Sequence, residues 1–189
     1  MLEGIAGIVL LGLLGLVLLI GLWLIFTFNG LVTLRNRVQE ALGDIEVQLK
    51  RRYDLIPNLV NTVKGYAKHE EGVFTQVTEA RSKAMQAETP AEHAKAEGML
   101  TQTLKSLFAV SEAYPDLKAS ENFRHLQTEL VDAEDKIQAS RRFYNAQTRD
   151  FNTKLQVFPT NLIASHLGFT AYEFYDAPAA ADATPEVKF

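Results

Sequence analysis

The chain has 189 residues, a net charge of -4 from 19 Lys and Arg against 23 Asp and Glu, and no cysteine. That balance excludes a dedicated polyanion binder and an acidic tail protein. The missing cysteine excludes disulfide frameworks, Cys-ligated zinc, thiol catalysis and a lipid-acylated N-terminus.

The first element is Ile5 to Phe28, about 24 residues without a charge, built from Leu, Ile, Val and Gly. As a helix it spans roughly 36 Å, more than the ~30 Å core of a bilayer. A cleaved signal peptide would need a positive n-region, a shorter apolar run and a small-residue cleavage site. Here Glu3 precedes the run and Phe26-Thr27-Phe28-Asn29 ends it. The stretch reads as an uncleaved transmembrane anchor, residues 1–30, with Trp23, Phe26 and Phe28 placed for an interfacial belt. Its glycines (Gly4, Gly7, Gly12, Gly15 and Gly21) fall on about half of a helical wheel, where small residues allow close helix–helix approach. Arg35 and Arg37 follow the anchor and no Lys or Arg precedes it, which favours a cytoplasmic domain over a periplasmic or extracellular one. Asn29-Gly30 reads either as a hinge or as part of one continuous helix.

From Leu31 the pattern turns amphipathic, with Leu31, Leu34, Val38, Leu42, Ile45 and Leu49 on one stripe. This helix is expected to stop or kink before Pro57, with Asp54 capping the next. A second helix then carries Leu59, Val63, Tyr66, Phe74, Val77, Ala80 and Ala84. Thr89-Pro90-Ala91-Glu92 is a capping box with Pro at the first helical position, and it opens a third helix. Leu100, Leu104, Leu107, Phe108 and Tyr114 face inward there, and Tyr114-Pro115-Asp116 ends it. The fourth helix, the longest, keeps its stripe from Phe123 through Leu130, Ile137, Tyr144 and Phe151 to Phe158, and Pro159 ends it. The fold class is therefore all-α: an N-terminal transmembrane helix, then an antiparallel bundle of about four long helices over 31–175. Residues 176–189, rich in Ala and Pro without periodicity, are expected to form a mobile tail.

Two long segments carry a family resemblance. Leu34 to Lys64, including Gln48-Leu-Lys-Arg-Arg-Tyr-Asp-Leu-Ile-Pro-Asn-Leu-Val60, is one. Ser120-Glu-Asn-Phe-Arg-His-Leu-Gln through Ser140-Arg-Arg-Phe-Tyr-Asn-Ala, followed by Phe158-Pro159, is the other. Together they resemble the LemA family over nearly the whole chain. The resemblance implies a bacterial membrane protein with an N-terminal anchor and a helical bundle. It implies no enzymatic activity.

The residues offer little chemistry of their own. His69-Glu70-Glu71 is not H-E-x-x-H, because position 73 is Val, and His69, His93, His125 and His166 lie on different elements. There is no G-x-S-x-G and no phosphate-cradling glycine loop. No catalytic residue, metal, cofactor, nucleic acid or small-molecule substrate is implied. Lys50, Arg51 and Arg52 form the densest basic cluster. It reads as a docking patch for anionic lipid or an acidic partner, or as charge favouring a helix C-terminus. One of Arg141 and Arg142 is expected to pair with a Glu or Asp of a neighbouring helix. Leu162, Ile163, Leu167, Phe169, Tyr172 and Phe174 read either as a segment that meets the bilayer or a neighbouring subunit, or as one folded back over the bundle.

The functional expectation is a single-pass protein of the bacterial inner membrane that is not an enzyme. In one mechanism it self-assembles into a scaffold that organises or shapes the membrane. In the other a monomer or dimer holds a protein partner, such as a membrane protease or sensor, at the bilayer.

Overall fold

The computed structural model describes residues 2–175; the tail expected over 176–189 lies outside the described residues. Among these, five α-helices account for almost all regular structure: α1 (Leu2–Tyr66), α2 (Glu71–Met85), α3 (Pro90–Glu112), α4 (Pro115–Ala119) and α5 (Glu121–Gln156). A single 3-10 turn follows at Thr160–Leu162. The described residues divide into two compact units, one within Met1–Gln39 and Gln147–Tyr172, the other within Glu40–Ala146 and Glu173–Phe189.

The first unit holds the apolar stretch. It is helical, and α1 is the one described helix long and apolar enough to cross a membrane. From Ile5 to Phe28 its Leu, Ile and Phe side chains stay exposed, Phe26 at 73%. Asn29 and Gly30 lie inside the helix, so the hinge reading gives way to the continuous one. Burial begins at Thr27 and Leu31. The end of α5 and the turns after it make up the rest of this unit.

The second unit is the bundle. Val60, Val63, Phe74, Val77, Leu100, Leu104, Leu130 and Ile137 are among its buried side chains, and α2 packs along α3. The capping box forms as expected. Thr89 accepts from the Glu92 amide, and the Glu92 carboxylate accepts from the Thr89 amide at 3.3 Å and from that of Glu88 at 3.0 Å. Those two amides hold the Glu92 carboxyl below the usual carboxylate range.

Two expectations are corrected. The helix does not stop at Pro57, and Asp54 caps nothing; α1 runs through to Tyr66. Tyr53, Ile56, Leu59, Val60 and Val63 are all buried around the proline. Burying an apolar side chain is worth about 1.5–3 kcal/mol, so this stripe offsets the ~3 kcal/mol a mid-helix proline costs. The break falls instead at 67–70, and the expected second helix is split there. Phe158 does not continue the α5 stripe. The helix ends at Gln156, and Phe158, beyond the last helical turn and joined to Pro159 by a cis peptide, is 79% exposed.

Candidate functional site

The bundle's centre of polar organisation is built on one turn of α1. Consecutive residues of a helix point about 100° apart, so Lys50, Arg51 and Arg52 do not share a face. Lys50 faces solvent and meets Asp54 at 3.4 Å, an exposed pair. Arg51 is half-buried and reaches α5, where its Nη1 donates to Asp132 at 2.8 Å and its Nη2 donates to Glu129. Bonds to Glu129 and Asp132 raise the Arg51 pKa. Asp132 is held below the carboxylate range first by Lys136, then by Arg51.

Arg52 goes inward. It is 3% exposed and donates to Glu97, itself 2% exposed, at 2.6 Å. Its Nη1 also lies 3.0 Å from Glu134, and its Nη2 donates to Thr101 at 2.8 Å. The Tyr53 hydroxyl donates to the other Glu97 oxygen. Burial first, then the Glu97 carboxylate, push the Tyr53 pKa upward. One turn of α1 thus ties α3 and α5 together, and the three basic residues do not form one solvent-facing patch. An open groove lined by Leu104, Phe108, Leu130 and Val131 lies beside Arg52.

The segment after α5 is sorted residue by residue. In the first unit, Phe169 is buried, its ring 5.7 Å from Phe28 and 6.3 Å from Phe151, with the Arg35 guanidinium 5.6 Å from its centroid. Gly168, at φ +78°, makes the reversal that returns Phe169 to α5. Asn152 clamps Tyr172 at both backbone groups: its amide donates to the Tyr172 carbonyl at 2.8 Å and its oxygen accepts the Tyr172 N–H at 2.9 Å. Gln39 donates to the Tyr172 hydroxyl at 3.3 Å. Leu162 and Leu167 point outward, and Ile163 is half-buried.

In the second unit, Asn145 repeats the clamp on Tyr175, at 3.0 and 2.8 Å. Arg141 stacks on the Tyr175 ring, 4.4 Å from its centroid, rather than pairing with an acid. Phe174 is exposed. The two asparagines sit one heptad apart on α5, and only that spacing on one helix face could have flagged them in the sequence.

Among the described residues no cluster of three or more His, Asp or Glu could hold a metal ion. The ionisable groups of this network bond one another, and the arrangement supports cross-bracing of helices.

Comparison with known proteins decides the family. The LemA family model matches residues 41–189. The chain belongs to the LemA family. This LemA-family chain is 32% identical over 143 residues to Protein LemA of Metamycoplasma hominis, covering 74% of the chain and 64% of that relative. It is 24% identical over 193 residues to Magnetosome protein MamQ of Magnetospirillum gryphiswaldense, covering 87% of the chain and 71% of the relative. It is 25% identical over 185 residues to Magnetosome protein MamQ 2 of Paramagnetospirillum magneticum, covering 84% and 68%. With its apolar helix, this LemA-family chain is a membrane-associated helical protein, and the relatives named are bacterial.

Proposed function

We propose that this protein is a non-enzymatic, self-assembling scaffold of the inner membrane, anchored by Ile5 to Phe28 with its bundle on the cytoplasmic side. The observation that carries the reading is where the chain directs its surfaces. The apolar side chains of the anchor remain exposed along the helix. At the bundle's centre Arg51 and Arg52 instead engage Glu97, Glu129, Asp132 and Glu134. Gly7, Gly12, Gly15 and Gly21 have open space where a Cβ would stand, room for close approach of a second anchor. None of the relatives bears an enzyme's name, and two are named for the magnetosome.

Lysine-directed cross-linking in native membranes tests it. The scaffold reading expects a ladder at multiples of the 21.1 kDa chain. A single adduct of another mass would support a monomeric or dimeric adaptor holding a partner instead.

A further inference from the structure

The turns between α5 and Phe169 present two faces. Thr160, Ala164 and Phe169 are buried. Phe158, Leu162 and Leu167 have the same spacing, offset by two residues, and are exposed, Leu162 at 61%, with Val157 beside them. Successive short-range bonds hold these turns together: Asn161 N–H to the Val157 carbonyl at 3.0 Å, Ala164 to Thr160 at 2.9 Å and Leu167 to Ile163 at 3.0 Å. The outward apolar set is thus carried on an ordered support, with Phe158 and Leu162 mostly open and Val157 and Leu167 partly so.

Its position follows from the inward face of the same unit. Phe169 lies against Phe28, the last aromatic of the uncharged stretch, and under Arg35, the first charge after it. Thr27, inside the stretch, is only 8% exposed. A lone helix cannot bury its own side chain so far, and residues 147–172 are the rest of this unit. The turns therefore sit at the boundary where the apolar surface of the anchor gives way to charge. In a bilayer that boundary is the headgroup level, where apolar and aromatic side chains on a polar-backed element bury their tips.

We propose that Val157, Phe158, Leu162 and Leu167 insert into the interface of the bilayer that the N-terminal helix crosses. They would make a second membrane contact, fixing the orientation of this unit on the surface. The inference rests on the anchor reading above. Its occupant is lipid, because the turns that carry the outward face are packed, through Phe169, against Phe28 at the end of the anchor's own exposed apolar surface.

The chain has no cysteine, so single Phe158→Cys, Leu162→Cys, Ile20→Cys and Ser82→Cys variants of the full-length protein can each carry an environment-sensitive nitrobenzoxadiazole label. The variants are reconstituted in phosphatidylcholine–phosphatidylglycerol vesicles with spin-labelled lipid as one quencher and aqueous iodide as the other. Labels at 158 and 162 are expected to lose intensity to the lipid quencher as the label at 20 does, and to be shielded from iodide. The label at 82, exposed on α2, should behave oppositely. Iodide quenching at 158 and 162, with lipid quenching at 20, overturns this proposal alone. Protection from both quenchers also overturns it, since protein and not lipid would then cover the face. Loss of lipid quenching at 20 overturns the anchor reading and this proposal with it.

Discussion

Arg81 Nε on α2 donates a 2.8 Å hydrogen bond to the Tyr53 carbonyl of α1, the oxygen that Pro57 leaves without its helical N–H. A proline removes the bond to the residue four positions earlier, and that residue here is Tyr53. The acceptor is satisfied from another helix, so α1 passes Pro57 without leaving a buried carbonyl unpaired.

Arg81→Met should therefore cost about 1–3 kcal/mol, the penalty of an unpaired buried acceptor. In a Pro57→Ala background the alanine amide can bond Tyr53 again, so the same change should cost measurably less. Thermal melts of the four proteins in detergent give the comparison. Equal costs in both backgrounds would mean Arg81 does not serve the proline.

The Arg52–Glu97 pair is almost wholly enclosed, at 2.6 Å. Removing Arg52 leaves the Glu97 carboxylate buried without its charged partner, while removing Glu97 still leaves Arg52 paired with Glu134. Arg52→Met should lose about 3–5 kcal/mol and Glu97→Leu less, while the double variant should recover most of the Arg52→Met loss. Denaturant unfolding of the three variants checks this.

Burial pushes the Tyr175 hydroxyl up to about 12 from 10, with the Arg141 charge opposing. Its neutral form is favoured in the folded chain. The stability this contributes is fully present below pH 10 and is lost as pH rises from 10 to about 12. The hydroxyl oxygen has no hydrogen-bond partner among the described residues. Tyr175→Phe should leave neutral-pH stability nearly unchanged and make the alkaline decline between pH 10 and 12 shallower. Circular dichroism melts across that range read the slope.

Asn152→Leu removes both bonds to the Tyr172 backbone, leaving an N–H and a carbonyl unpaired. A loss of about 2 kcal/mol is expected, at about 1 kcal/mol per bond. Limited proteolysis should then cut near Tyr172 faster than in the parent, with the bundle core unchanged.

The sequence shows the elements whose causes are local. The uncharged run, the amphipathic stripe from Leu31, the Thr89–Glu92 box and the end of a helix ahead of Pro159 each depend on residues within a few positions of one another. Features with distant causes are not visible there. Pro57 reads as a helix breaker until Arg81, 24 positions on by the numbering, is seen to supply the missing donor. Lys50, Arg51 and Arg52 read as one patch until α3 and α5 bring acids to two of them. The aromatic run after Pro159 shows that many apolar groups need burial. It does not show that Gly168 and the two asparagines would turn Phe169 and Tyr175 inward and leave Leu162 and Leu167 outside.

The central claim is assembly, and the mass of the full-length protein in detergent, measured by light scattering with the detergent contribution subtracted, tests it most directly. A scaffold predicts a large, discrete mass that is a multiple of the 21.1 kDa chain. A monomer at concentrations that exceed those of the membrane would contradict it.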